Sequence, residues 1–279
     1  MNKLTFIGCD KEYSNSDIVL FGAPFDGTVS FRPGTRFAPN IIRTDSDGIE
    51  TYSPYQNEDI EDKNVTDIGD CETFFGNTQK TLDSIYIQTK EIVQDNKTPF
   101  MIGGEHLVSL PAIKAVYEEH PELRIIHFDA HTDLRDNYLG EELNHSTVIK
   151  QVSNMIGTHK IYQFGIRSGL KTEFEFAKKN HYIELFTANT VQDIIEDIKD
   201  YPIYITLDLD VLDPSIMSGT GTPEPGGLQF LDLLNALLKL KNLNIVGLDI
   251  VELSPQYDQS GVSNAVACKL IREMLLLKK

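Results

Sequence analysis

The sequence predicts an α/β protein: a mainly parallel sheet of roughly eight strands, with helices on both faces making three layers. Three observations lead there. Eight short β-branched runs alternate with segments of helical period along the whole chain, the pattern of repeated βα units. Several of those runs are continuously apolar, as strands covered on both faces are. The residues least suited to a core, acids and histidines, follow directly after strands, where open sheets bind their ligands.

In chain order, strands are expected at 17–21, 65–68, 99–102, 124–128, 160–164, 182–186, 203–207 and 244–250. Helices are expected between and after them, at 78–94, 108–119, 173–180, 191–199, 228–240 and 260–277. Strand–helix–strand repeats of this kind join parallel neighbours through right-handed crossovers. At roughly 150 residues per domain the length of 279 leaves room for two domains. No linker, repeat or low-complexity tract divides the chain, so one domain over 1–279 is expected.

Forty-two acidic residues against 25 basic ones leave a net charge of −17. Such a surface repels phosphate backbones, which excludes non-specific nucleic-acid and anionic-membrane binding and suits a cationic ligand or a bound metal. Cys9, Cys71 and Cys268 are odd in number, far apart and form no C-x-x-C pair, which disfavours a disulfide or zinc-finger framework. No apolar run reaches the length of a membrane span, and Asp10, Lys11 and Glu12 interrupt the N-terminus before a signal core forms. A cytoplasmic protein is expected.

The chemistry sits after the strands. Gly103-Gly104-Glu105-His106 follows the run at 99–102, and Asp129-Ala130-His131-Thr132-Asp133 follows RIIHF at 124–128. Asp208-Leu209-Asp210 follows IYITL at 203–207, and Val251-Glu252 follows the run at 244–250. Asp129, His131 and Asp133 at i, i+2 and i+4 share one face while the chain stays extended. Asp208 and Asp210 repeat the device. With His106 they make two imidazoles and four carboxylates, which would repel strongly without cations among them. Two divalent ions sharing bridging carboxylates offset that charge; oxygen-rich ligation without thiolates points to manganese over calcium, with zinc as the alternative. A lone Asp-x-His-x-Asp is often only turn chemistry, but three such signals after three strands favour the binuclear site.

Gly103 and Gly104 read either as a simple turn or as a close backbone approach to the metals. His145, in an acidic loop, reads as a surface histidine or a catalytic one. Glu252 reads as a capping residue or a ligand group, and His127 as a core histidine or one standing behind a ligand. Other motifs fall away. Thr28 stands where a P-loop needs lysine, Glu224 breaks a dinucleotide fingerprint, and there is no G-x-S-x-G. The run from Asp208 lacks the glycine and glutamate of a calcium loop.

Taken together, GGEH, DAHTD, LDLDVLDP, GTGTPEPGGL and DIVELSP resemble the ureohydrolase (arginase and agmatinase) family in order and approximate spacing, from Phe21 to the C-terminus. GAPFDGTVSFRPGTRFAPNIIR and DLRDNYLGEELNHST resemble the bacterial, Gram-positive agmatinase branch. The resemblance implies an arginase-like three-layer αβα fold with two Mn²⁺ per chain. It implies His106 and Asp133 as terminal ligands of one ion, His131 and Asp210 of the other, with Asp129 and Asp208 bridging. It also implies His145 and Asp133 as proton-handling residues, Glu252 as the carboxylate holding a guanidinium, Thr222 as its support, and Glu105 in a structural part. The implied reaction is cleavage of agmatine to putrescine and urea, by a homo-oligomer, trimer or hexamer. Arg135 stands where arginases carry Asn, which argues against arginine. Asp136, Glu141 and Glu142 suit a cationic tail, whereas Arg135 suits a carboxylate-tailed substrate such as guanidinobutyrate or formiminoglutamate. A single-zinc deacetylase of the same fold leaves His106, Asp133 and Asp210 unexplained, and a non-catalytic regulator leaves the clustered carboxylates without purpose.

Overall fold

A computed structural model describes residues 4–278. Its strands are β1 (Ile18–Ala23), β2 (Tyr52–Ser53), β3 (Glu58–Asp59), β4 (Val65–Asp70), β5 (Thr98–Gly103), β6 (Arg124–Phe128), β7 (Ile161–Ile166), β8 (Tyr182–Leu185), β9 (Pro202–Asp208) and β10 (Asn244–Val251). Its helices are α1 (Ala38–Asp45), α2 (Thr78–Gln94), α3 (Ser109–Glu119), α4 (Val148–Ile156), α5 (Lys171–Asn180), α6 (Val191–Ile198), α7 (Phe230–Lys239) and α8 (Val262–Leu275). Eight strands form one sheet in the order β4-β1-β5-β10-β9-β6-β7-β8. Every pairing within it is parallel.

Each expected strand is present, with ends displaced by a residue or two. The short antiparallel pair β2–β3 and the helices α1 and α4 were not anticipated. Pro39 in α1 reads as a breaker, but it occupies the first turn, where a missing N–H costs nothing. The apolar residues of α4, Val148, Ile149, Val152 and Ile156, are β-branched, so tertiary packing outweighs a weak intrinsic helix preference.

Successive strand residues point to opposite faces, and the core divides accordingly. Ile18, Leu20, Phe100, Ile102, Ile203, Ile205 and Leu207 pack with Ile42 of α1, Ile194 of α6, Leu233 and Leu237 of α7 and Ile271 of α8. Val19, Phe21, Met101, Ile125, Tyr204 and Val251 pack with Leu82 and Ile85 of α2, Ile113 and Val116 of α3, Val152 of α4 and Ala177 of α5. These are the three expected layers, and each fully buried Leu, Ile or Phe contributes roughly 1.5–3 kcal/mol towards holding them together.

One row across the sheet is polar. Asp249 of β10 registers with Thr206 of β9, Thr206 with His127 of β6, and His127 with Gln163 of β7. All four are fully buried. The row lies one side-chain repeat below Asp129 and Asp208 on the same face, because Thr206 and His127 precede them by two residues.

Among the described residues, no helix is long and apolar enough to cross a membrane. Cys9, Cys71 and Cys268 are free and buried. Burial pushes the Cys71 and Cys268 thiols up to about 12, and Cys9 is raised too, so all three stay protonated at pH 8. Iodoacetamide at pH 8 is therefore expected to leave the folded chain unlabelled and to alkylate all three cysteines after denaturation, as read by intact mass.

Candidate metal centre and active site

The expected ligands leave the sheet at neighbouring strand ends. His106 opens a short 3-10 turn after β5, and Asp129 directly follows β6, with His131 and Asp133 just beyond. Asp208 closes β9, Asp210 lies in the turn after it, and Glu252 directly follows β10. Since β5, β10, β9 and β6 are adjacent, residues separated by more than a hundred positions converge at one rim. His145 opens a 3-10 turn ahead of α4, capped by Asn144. Thr222 lies in the loop between β9 and α7.

His106 Nδ1 faces Asp129 Oδ2 at 3.1 Å, Asp133 Oδ2 at 3.2 Å and Asp208 Oδ2 at 3.3 Å. His131 Nδ1 lies 3.0 Å from Asp210 Oδ2 and 3.4 Å from Asp129 Oδ1. Asp129 therefore turns one oxygen to each histidine. Of the six, only His131 is appreciably exposed.

The donors fit divalent cations on a specific observation. His106 Nε2 lies 3.0 Å from Thr206 Oγ1, whose hydroxyl donates to Asp249 Oδ1 at 2.6 Å. With that hydrogen committed, Thr206 accepts from Nε2–H, so Nδ1 is the His106 nitrogen turned towards the carboxylates. Fully buried, that atom has no hydrogen-bond partner although three carboxylate oxygens surround it. Carboxylates packed round that nitrogen repel its lone pair and one another unless a proton or a metal cation stands between them. Two histidines and four aspartates, free of thiolates, offer the nitrogen and oxygen donors such ions take.

The metal-free electrostatics agree. Burial pushes Asp208 and Asp133 up, and neighbouring carboxylates add to it. Burial also works against the charged Asp129, but His127, His106 and His131 outweigh it and hold that carboxyl well below the usual range. Burial acts to lower His106 and His131, yet the facing aspartates raise both imidazoles well above their ordinary value.

A second set of side chains orients the first. Tyr204 donates to Asp249 Oδ2 at 2.8 Å, completing a path Tyr204–Asp249–Thr206–His106. On the other side, the Gln163 amide lies 3.1 Å from His127 Nδ1, and His127 Nε2 lies 2.8 Å from Asp129 Oδ2. An amide that donates to Nδ1 leaves the proton on Nε2, so His127 holds Asp129 and offers a metal no lone pair. His127 and Asp129 do lie within ligating distance of His106, but this tautomer assigns His127 the supporting part. Thr222 Oγ1 donates to Asp210 Oδ2 at 3.1 Å.

Glu252, His145 and Thr222 face the same cavity as His106, His131, Asp133 and Asp208; its volume is about 270 Å³. Glu252 Oε1 accepts the His106 N–H at 2.8 Å. Burial, with Glu105 and Asp210 nearby, pushes its carboxyl well up, so a cationic partner is needed to keep it charged. His145 is pushed down to about 4, by burial first and then by His131 and His106. Asp133 and Glu252 have positive φ, 51° and 66°, a conformation that ordinary residues hold only where the surroundings enforce it.

Two expectations change. Asp136, Glu141 and Glu142 do not line this cavity; Asp136 is 82% exposed and pairs with Lys150 at 3.2 Å. Glu173 does line the cavity, as do Arg135 and Tyr138; it is buried, and its carboxylate also accepts the Leu170 N–H at the start of α5. A loop acid's sequence position says nothing of which way the loop turns. Gly104 is required by a backbone other than the one expected: a Cβ there would lie 1.9 Å from the carbonyl oxygen of Phe25. At Gly103 the obstacle would be Val251 Cγ1, at 2.6 Å.

Sequence reasoning passed over Thr206, Asp249 and Gln163. The available signal was parity: Thr206 precedes Asp208 by two residues, and a polar side chain there in an apolar run must find a buried partner.

Two predictions follow from this geometry. Thr206→Val, an isosteric loss of the hydroxyl, is expected to weaken divalent-cation binding about 10- to 100-fold while the fold persists, measured by titration calorimetry. Uptake of the cation by the metal-free chain is expected to release protons at neutral pH, because raised imidazoles must lose theirs. Affinity should accordingly rise with pH, read from the dependence of the heat on buffer ionisation.

A family model described as Arginase family matches residues 16–277. The agmatinase of Bacillus subtilis (strain 168) is 46% identical over 275 residues, covering 97% of this chain and 95% of that protein. Among solved structures, a chain from Clostridium difficile, assigned only provisionally as an agmatinase, is 50% identical with a TM-score of 0.93, covering 95% of this chain and 98% of that one. The agmatine ureohydrolase of Thermoplasma volcanium is 30% identical with a TM-score of 0.91, covering 99% and 94%. With its ligand-bearing strand ends and a match over nearly its whole length, this chain belongs to the arginase family.

Proposed function

We propose that the chain is an agmatinase, a manganese-dependent hydrolase that converts agmatine and water to putrescine and urea and so supplies a polyamine precursor. The observation that carries this reading is the buried Nδ1 of His106 turned to three aspartates, opening on the same cavity as Glu252. Relatives named agmatinase at 43–46% identity over nearly their full length supply the substrate. The reading also takes residues 1–279 as one domain, in the cytoplasm, assembled as a homo-oligomer.

His106, Asp129, Asp133 and Asp208 would hold one ion; His131 and Asp210, with Asp129 and Asp208 shared, would hold the second. When bound, such a pair supplies Lewis acidity that makes water nucleophilic at neutral pH. The chain's own groups do the rest. Glu252, with Oε1 tied to the His106 N–H, offers its carboxylate to the guanidinium N–H groups and turns the guanidinium carbon towards the aspartates. Water oxygen adds to that carbon, the bond to the aliphatic nitrogen breaks, and a proton must reach the leaving amine. Asp133, on the cavity wall, relays it from the attacking water. His145 Nε2, 2.9 Å from Ser30 Oγ, exchanges protons with solvent. Glu173 contributes the negative charge that a protonated amine tail seeks.

A carboxylate-tailed substrate is the second reading, favoured by Arg135 on the same wall. That guanidinium lies over the Tyr138 ring, 5.1 Å from its centre.

The test is product formation by manganese-loaded protein offered agmatine, arginine, 4-guanidinobutyrate and formiminoglutamate. Urea with putrescine from agmatine is the expected result; preferential turnover of a carboxylate-tailed compound overturns the substrate while leaving the metal chemistry. Glu173→Gln is expected to raise the KM for agmatine about tenfold with little change in kcat, the loss of one charge-assisted contact. An unchanged KM would remove Glu173 from the tail site.

A further inference from the structure

We propose that Thr28, clamped by the buried carboxylate of Glu105, is a positioning residue that sets His145 over the active site. The inference rests on the reading of His145 as a proton-handling group.

Glu105 precedes a candidate metal ligand, is fully buried and takes no part in the chemistry above. Among the described residues, every hydrogen bond its carboxylate accepts comes from Thr28. The Thr28 N–H lies 3.1 and 3.0 Å from its two oxygens, and the Thr28 hydroxyl donates to Oε1 at 2.7 Å. Burial pushes the Glu105 carboxyl up to about 8, and a buried carboxyl held by one residue fixes that residue firmly, since losing the contact would leave its oxygens without partners.

Thr28 passes this order on. Its hydroxyl hydrogen is committed to Glu105, so the oxygen presents a lone pair, which accepts the His145 N–H at 3.2 Å. Its carbonyl accepts the Asn144 side-chain amide at 2.8 Å. Two residues on, Ser30 Oγ meets the His145 ring at Nε2. The segment 28–30 thus grips His145 by backbone and by imidazole.

The grip is needed because His145 is the first residue of a three-residue 3-10 turn at the end of a long loop. The preceding loop reaches solvent, with Leu139 89% exposed, so from that side no strand or helix holds the histidine. The segment that does so is itself tied to the sheet. The Glu105 N–H donates to the Phe25 carbonyl at 2.8 Å, the contact that only a glycine at 104 admits. The path 145–28–105–106 therefore joins His145 to a candidate metal ligand through two intervening residues, although 39 positions separate them along the chain.

The experiment is a double-mutant cycle with agmatine on manganese-loaded protein, with metal content and melting temperature measured for each variant. Thr28→Val keeps the shape and removes both hydroxyl bonds. It is expected to lower kcat about 10- to 100-fold at parental metal content, with KM changed by less than about twofold. Thr28→Ser is expected to restore the rate. In a His145→Ala background, Thr28→Val should cost less than about twofold more, because it acts through a side chain already gone. Should Thr28→Val fail to fold, Glu105→Gln carries the same cycle. Unchanged kcat, or losses that multiply in the His145→Ala background, overturn the proposal. Parental activity of His145→Ala alone would instead remove the catalytic reading of His145, and this proposal with it.

Discussion

Four aspartates held together at the buried ends of two adjacent strands, β9 and β6, are the constraint on which the rest of this structure depends. Three of their oxygens surround one buried imidazole nitrogen, His106 Nδ1, with little water to screen them. At such separations like charges cannot all persist in a low-dielectric rim without counter-ions. The metal-free chain answers with protons, raising Asp133, Asp208 and both facing histidines. A pair of cations would answer better, because each ligand would then keep its charge and its geometry.

That demand reaches into the sheet. Asp249, Thr206, His127 and Gln163 form a polar row across an otherwise apolar layer, and each end of the row orients a ligand above it. Thr206 turns His106 so that Nδ1 faces outward, while Gln163 turns His127 so that Nε2–H meets Asp129. Burying four such groups is costly unless each finds a partner, and here each does. Positive φ at Asp133 and Glu252 belongs to the same picture: strained backbone is held where the surroundings over-determine it.

Much of this was legible in the chain before folding. The eight strands showed as short β-branched runs because parallel strands covered on both faces have no polar positions to spare. His106, Asp129, His131, Asp133, Asp208, Asp210 and Glu252 showed because each follows such a run. Less was legible in the loops. Asp136, Glu141 and Glu142 read as neighbours of a cationic tail, yet Glu173, from the first turn of α5, is the carboxylate on that wall. Asp136 turns outward to Lys150. Period and parity constrain a strand; nothing comparable constrains a loop of sixteen residues, 129–144.

The sequence by itself determined which residues end each strand and hence which chemistry stands at the rim, since strand period and sheet parity are local properties. Only the tertiary structure decided which strands became neighbours. The order β5-β10-β9-β6 is set by crossover packing between segments far apart in the chain, and it alone brings His106 beside Asp208 and Asp129. It also decided tautomers and second partners. A lone Thr206 or Glu105 has no assigned role until Asp249 or Thr28 arrives from another strand or loop, because a hydrogen bond fixes a proton only when both of its ends are in place.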